Sequence, residues 1–499
     1  MAVKTMRRAF GSIPRHDTLQ LLQGLLQRLS HLLHIAISFI LLPFDNAVLL
    51  AACLVGYALH LVSRSSPSRR RKAALGTAGF YPKTVLVTGI DTHYGLAVAR
   101  AWYYQGHRVV GVNITHTSIR PGEGMSRTIA AFYSIPKAQY VSRLLDLIHR
   151  EKVDIWVPCS DQLTVMEDAM AKEVVESRTD CKCIHLDTEL AARFNQPESF
   201  LQYLVEKDLP VVETHQVQSR ASIHKILHRS PSKIYHMRSA SSLAAGGKVV
   251  VLPKRTLSLT YSEVSEIQIS KDRPWMLQQQ TRLGTYYAEL LVVRGFVKAI
   301  TIRPSNHQLI WGRSRLDEAL AIAIRKLMER FAMQGGPRMT GHLCVELMID
   351  EEFDTNSVRH VIHIAGCTQG AAAVKTLLLD ASGSFPAGCL SVLSPQAQGS
   401  PAETTNTHIG TMMCRTPVQN SKFDEALQAR DFHRLALIIS EGMQVLDCLN
   451  HAASQFVFWK NWRYSHFDPL PWWWDVHIYQ PIKHFEMAFE KPAAYDKNI

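Results

Sequence analysis

Acidic residues are almost missing from the first 83 positions of this chain: Asp17 and Asp45 stand against eleven lysines and arginines. Of a formal net charge of +12 over 499 residues, +9 sits in that segment, which leaves +3 for everything after it. Basicity confined to one end is a different pattern from a basic stripe along a globular domain, so it argues against nucleic acid and for anionic lipid as the partner. Cysteine is sparse as well. The nine are odd in number and scattered, and Cys181 with Cys183 form only a lone C-x-C. A disulfide framework is not legible there, and a reduced, cytosolic setting for the globular part follows. The apolar runs begin too late for a signal peptide, and no small-residue cleavage site precedes the basic block at 69–72.

Two apolar runs are present, 32–42 and 47–62, separated by Pro43, Phe44, Asp45 and Asn46. Each is shorter than the ~20 residues that cross a bilayer comfortably. Ahead of them lies a basic amphipathic N-terminus, 1–31, in which Asp17 caps an expected helix with Leu19, Leu22, Leu25, Leu26 and Leu29 at helical spacing. Three readings are open for 32–63: a membrane hairpin tipped by the Pro-Phe-Asp-Asn turn, a single span over 44–63, or a buried pair of core helices. Basic residues flank both sides, and cytosolic flanks are the basic ones, which favours the hairpin. The stretch 64–83, with RSSPSRRRK, reads as a solvated basic linker. The main body is then membrane-associated and faces the cytosol.

After the linker comes a βαβ pattern: TVLVT ending at Gly89, a helical stretch over 96–105, and the strand RVVGVN. Gly89 and Gly95 resemble a dinucleotide loop, and Tyr133 with Lys137 spell Y-x-x-x-K. Pro136 falls between that pair, however, and Asn113 and Thr115 stand where an acidic ribose ligand belongs, which disfavours a dehydrogenase. A third strand, DIWVP, and a fourth at 183–186 complete a small parallel Rossmann-like domain over 84–190. From about 191 to 390 the style changes to antiparallel strands interrupted by a helix over 316–331, an α+β domain. A polar stretch, 394–408, reads as a loop within a flexible region over 391–422. A helical stretch, 423–452, belongs to a helical and aromatic end, 423–499, holding Trp472, Trp473 and Trp474. Such aromatic clusters are core or subunit contacts, with a membrane-surface patch as the alternative.

The stretch 341–374 carries the functional reading. Two apolar runs, 343–349 and 358–364, flank an acidic turn, the pattern of a β-hairpin with a long loop. Glu346 is the one acid within the first run, and a carboxylate between apolar strand neighbours either lies on a wet face or holds a cation. The second run offers His360, His363, Gly366, Thr368 and Gln369 and no carboxylate. His360 and His363 fall on opposite faces of a strand.

Taken in order, TVLVTGIDTHYGLAVARAW, VDIWVPCSD, LPVVETHQV, PWMLQQQTRLGTYYAELLVVRG and HFDPLPWWWDVH resemble the ATP-grasp superfamily over residues 84–480, and most of all its fungal secondary-metabolism members that join a carboxylate to an amine. The resemblance implies an ATP-grasp-like fold with an N-terminal Rossmann-like (preATP-grasp) domain, behind the membrane-associated segment. It implies ATP and Mg²⁺ as cofactors, a small carboxylic acid and an amine as substrates, and an acyl phosphate between them. Such chemistry gathers negative charge, so cations for phosphate and acids for metal are needed. The family's phosphate-binding lysine falls at Arg238, the adenine hinge at Gln278, Gln279 and Gln280, a ribose-side glutamate at Tyr286, and the first metal carboxylate at Glu346. The second metal site, a Glu-x-Asn-x-Arg sequence in the family, would fall in 363–368, which reads HIAGCT. Two functions follow: a carboxylate-amine ligase, or a degenerate relative that binds a nucleotide, metabolite or partner without turnover. No residue is singled out as the catalytic one.

Overall fold

A computed structural model describes residues 15–62, 67–115, 119–230, 233–239, 249–270, 275–281, 283–305, 318–354, 357–379, 384–393, 462–465 and 467–489. The loop expected at 394–408 and the helix expected at 423–452 lie outside these residues. The chain divides into two compact units, Met1–Tyr140 with Cys414–Ile499, and Val141–Met413. Parallel and antiparallel sheets and helices are all present, a mixed α/β architecture.

In the first unit β1 (Thr84–Thr88), β2 (Arg108–Ile114) and β3 (Ala131–Ile135) run parallel, with β2 in the middle. The helix His93–Tyr104 follows β1, and its first turn is capped by Thr92, whose hydroxyl accepts from Gly95 N. A Cβ on Gly95 would sit 2.1 Å from the Gly89 carbonyl oxygen, so this glycine is needed for the turn and the helix to close on each other. Asn113 is buried, and its Oδ1 accepts from the Asp91 amide at 3.1 Å, which pins the same turn. Tyr133 lies in β3 and Lys137 in a short 3-10 turn after Pro136, so the two share no helical turn.

The N-terminal apolar segment departs from the hairpin expectation. Arg15–Val62 is one helix of 48 residues that runs through Pro43. A proline in a helix removes one backbone bond and need not end the helix when neighbouring groups compensate. Here the polar residues beside it are engaged from the far end of the chain: the Asp45 Oδ2 lies 2.9 Å from His477 Nε2, and Trp473 Nε1 donates to Asn46 Oδ1 at 2.8 Å. Within this helix Ser30–Ala51 is long and apolar enough to cross a membrane.

The C-terminal residues of the same unit are tied down by buried charge. Asp468, 1% exposed, accepts from Ser126 Oγ at 2.6 Å, Arg127 N at 3.1 Å and Arg100 Nε at 3.1 Å. Arg463 pairs with Glu123 and, at 3.4 Å, with Asp475. Leu470–Trp474, a π-helical turn Asp475–Tyr479 and Gln480–Phe489 then form one continuous helical run. Trp472 is buried, and Trp474 Nε1 donates to the Arg120 carbonyl at 3.0 Å.

The second unit starts with the parallel pair β4 (Ile155–Pro158) and β5 (Lys182–Cys183). Two antiparallel four-stranded sheets follow. One, in the order β6-β9-β7-β8, is built from β6 (Thr214–Val217), β7 (Ile234–Ser239), β8 (Val250–Leu252) and β9 (Trp275–Gln280). The other, β11-β10-β12-β13, is built from β10 (Gly284–Val293), β11 (Phe296–Pro304), β12 (Gly341–Asp354) and β13 (Ser357–Gln369). Each keeps one face on its own core. Tyr235, Met237 and Leu277 pack with Val217, Ile223 and Val264 behind the first sheet. Val345, Leu347 and Ile349 pack with Ala288, Leu290 and the helix Glu318–Gly335 behind the second. Because strand side chains alternate, residues between these core positions face the other way, and there the cavity lies.

Candidate functional site

A cavity of about 440 Å³ in the second unit is lined by residues of both sheets and by Phe194, Asn195, Pro197 and Phe200 from two short helices. From β7 it takes His236 and Arg238, the positions that alternate with core-facing Tyr235 and Met237. From β9 it takes Gln278 and Gln280, and from β12 Glu346 and Met348. The segment 365–368 of β13 closes one side. Arg238 Nη2 donates to Gln278 Oε1 at 2.6 Å, and Gln278 Nε2 lies 3.6 Å from Met348 Sδ, so the amide bridges the two sheets.

Glu346 stands opposite Tyr287 of β10 and Gly366 of β13. A β-bulge interrupts the β12–β13 register immediately after it, between Glu346 and Leu347. Gly366 leaves its flank open: a Cβ at 366 would come within 3.3 Å of Glu346 Oε2. Burial raises the Glu346 carboxyl above its ordinary range, and the Arg238 guanidinium acts in the opposite direction. Among the described residues its carboxylate accepts no hydrogen bond and has no ion-pair partner within 4 Å. Burial, then Arg238, lower the His236 imidazole, while a hydrogen bond that it donates to the side chain of Gln280 opposes them. Burial raises the Cys367 thiol above its ordinary range.

Four of the six sequence-derived positions therefore meet at one cavity: Arg238, Gln278, Gln280 and Glu346. Gln279 and Tyr286 do not, and the reason is the period of two. Gln279 is 7% exposed on the opposite face of β9. Tyr286 packs against the core cluster behind the second sheet, beside Ala288 and Leu290, while Tyr287 shares the face of Glu346. Neither Gln279 nor Tyr286 is therefore among the residues lining this cavity. His363 stands opposite Met348, and His360 opposite Glu351, on alternate faces as their spacing requires.

Sequence reasoning passed over two acids of this unit. Glu289 lies two positions along β10 from Tyr287, hence on the Glu346 side of the sheet. It is fully buried and already engaged, accepting from Arg303 Nε at 2.8 Å and from the Leu377 amide at 2.8 Å. Glu213, just before β6, gathers Lys233 Nζ, His215 Nε2 at 2.8 Å and Tyr235 Oη at 3.3 Å. Desolvation works against its charge, yet the Lys233 and His215 contacts hold the carboxyl down at about 2. Alternation from Arg238 would have found His236. His215 is a local partner of Glu213, but Lys233 and Tyr235 come from about twenty residues on and give no local signal. Glu346 is the single carboxylate lining the cavity among the described residues, and no group of three or more His, Cys, Asp or Glu there is placed to hold a metal ion.

No family model matches the chain, and no curated protein matches it by sequence. Solved structures with a similar backbone course include the biotin carboxylase subunit of pyruvate carboxylase (12% identity, TM-score 0.41), with 58% of this chain and 64% of that chain covered, just under two thirds of its length. An L-amino acid ligase from Bacillus licheniformis is 12% identical over 63% of this chain and 75% of its own, with a TM-score of 0.38. A biotin carboxylase from Campylobacter jejuni in complex with β,γ-ATP is 11% identical over 64% and 72%, with a TM-score of 0.42.

Proposed function

We propose that this cavity binds ATP and that the protein is an ATP-dependent carboxylate-amine ligase of the ATP-grasp type, held at a membrane with its globular part on the cytosolic side. The observation that carries the reading is the convergence of Arg238, Gln278, Gln280 and Glu346 from two antiparallel sheets on one cavity. In this reading the Arg238 guanidinium binds phosphate oxygens, for which its fork of donors is suited. The side-chain amides of Gln278 and Gln280 donate to and accept from the edge of a base. Phe194 and Phe200 give the apolar wall that an aromatic ring packs against.

The residues fit a nucleotide with one divalent cation. Mg²⁺ is held by one or two carboxylates together with substrate phosphates and water, and Glu346 is an unpaired, half-buried carboxylate in the right cavity. When bound, Mg²⁺ would supply charge neutralisation for phosphoryl transfer to the carboxylate substrate. Among the described residues a second ion has no carboxylate in this cavity, since Glu289 is committed to Arg303 and the Leu377 amide. That favours a second reading, nucleotide or metabolite binding without turnover.

Release of ADP and phosphate from ATP and Mg²⁺ in the presence of pooled small carboxylic acids and amines, of the kind that secondary metabolism joins, tests the ligase. Amide formation coupled to that release is the expected result. ATP binding that is indifferent to Mg²⁺, with no product from any pool, selects the second reading.

A further inference from the structure

The two helices at the ends of the first unit turn a row of polar side chains toward each other and leave large apolar ones exposed, with Lys483 and Glu486 of the C-terminal helix exposed beside them. On the long N-terminal helix His31, Ser38 and Asp45 recur at intervals of seven, which places them on one face. Each meets the C-terminal helical run. His31 Nδ1 lies 2.9 Å from His484 Nδ1, with one ring donating to the other. Ser38 Oγ donates to the Val476 carbonyl at 2.9 Å and lies 3.2 Å from His477 Nδ1. Asp45 is 2.9 Å from the other ring nitrogen of His477, itself seven residues from His484. The helices thus lie antiparallel along a polar seam, with Trp473 and Asn46 at one end.

The outer faces are the reverse. Ser38 is 8% and Asp45 7% exposed, whereas Phe39 is 67%, Ile40 73% and Phe44 60% exposed. On the partner helix Ile482, Phe485 and Phe489, spaced i, i+3, i+7, are all exposed. A helix pair in water puts polar groups outside. A pair in lipid must satisfy its polar groups internally, as this seam does. The apolar stretch Ser30–Ala51, 22 residues, is about 33 Å long at 1.5 Å per residue, which matches the hydrocarbon thickness of a bilayer. Arg70 and Lys72, exposed on the separate helix Pro67–Gly76, carry the charge that an anionic headgroup layer attracts.

We propose that the C-terminal helix Gln480–Phe489 is a second lipid-contacting element, which with the N-terminal helix forms one membrane-binding surface held together by the seam from His31–His484 to Asn46–Trp473. This rests on the membrane attachment proposed above and adds to it a surface from the opposite end of the chain. The test uses the full chain with vesicles of phosphatidylcholine and phosphatidylserine, some of the phosphatidylcholine carrying a photoactivatable acyl chain. Crosslinked lipid is expected on the 480–489 peptide as well as on 30–51. The Ile482→Glu/Phe485→Glu/Phe489→Glu variant is expected to partition into vesicles about tenfold less or worse.

A wild-type chain that does not float with vesicles overturns the membrane attachment itself. Flotation with adducts only on 30–51, and with a variant that floats like the wild type, overturns the C-terminal contact alone. A stable dimer in vesicle-free buffer that ignores vesicles identifies a second copy as the occupant of these faces and equally overturns it. The crosslinking arm needs no substitution, so a variant that fails to fold leaves the proposal open to refutation.

Discussion

The seam in the first unit and the cavity in the second both take polar side chains out of water, on opposite terms. In the first unit every such group named above has a partner: Asp45 has His477, Asp468 has Ser126, Arg127 and Arg100, and Glu123 has Arg463. In the cavity Glu346 accepts no hydrogen bond among the described residues, and Arg238 is turned to a neutral amide. A polar group satisfied inside the fold contributes to holding it. One left without a partner costs stability and is kept where a ligand supplies the partner.

The contrast breaks first at Asp468. Asp468→Ala removes the acceptor shared by Ser126, the Arg127 amide and Arg100 and leaves a part-buried guanidinium behind, so it should cost ~3 kcal/mol in chemical denaturation. A cost below about 1 kcal/mol would contradict the structural role. Arg238→Ala should leave the unfolding free energy nearly unchanged while weakening ATP about 10- to 100-fold in calorimetric titration, the loss expected for charge-assisted bonds to phosphate. Equal affinity in the variant would remove Arg238 from the site.

Two smaller effects concern pH. The Glu213 carboxyl, held at about 2, lies below its unfolded value, so its contribution is present above pH ~4.5 and is lost as pH falls toward 2. Partly exposed as it is, the contribution is ~1 kcal/mol, and Glu213→Gln should flatten that limb of the stability profile. Glu346 has the opposite sign. Its folded-state pKa is raised, so the folded protein holds the proton more tightly and stability is lost as pH rises from the unfolded value through the raised one. Glu346→Gln should therefore raise Tm slightly at pH 7 and abolish any effect of Mg²⁺ on ATP affinity. A lowered Tm would show that the carboxylate has a structural partner.

What could be read from the sequence was local, and what could not was distant. The hairpin around Glu346 announced itself through alternating apolar runs, and it forms, though longer, as β12 over Gly341–Asp354 and β13 over Ser357–Gln369. The same alternation shows why Gln278 and Gln280 reach the cavity while Gln279 does not, and why Tyr286 turns to the core. The Pro-Phe-Asp-Asn sequence looked like a turn because its polarity had no visible local use. Its use is with His477 and Trp473, more than 420 residues away, and the helix continues through it. β3 and β8 escaped notice because they are short and carry no strong pattern.

The central claim is that the cavity, with Arg238 and the unpartnered Glu346, takes a nucleotide. Thermal unfolding of the full chain across an ATP series, with and without Mg²⁺, tests it most directly. A ligand bound only by the folded state stabilises by about 2.7 kcal/mol at a hundredfold excess over Kd, so the midpoint should climb with ATP concentration, further with Mg²⁺, and the climb should vanish in Arg238→Ala. A midpoint that does not move at millimolar ATP would contradict the account.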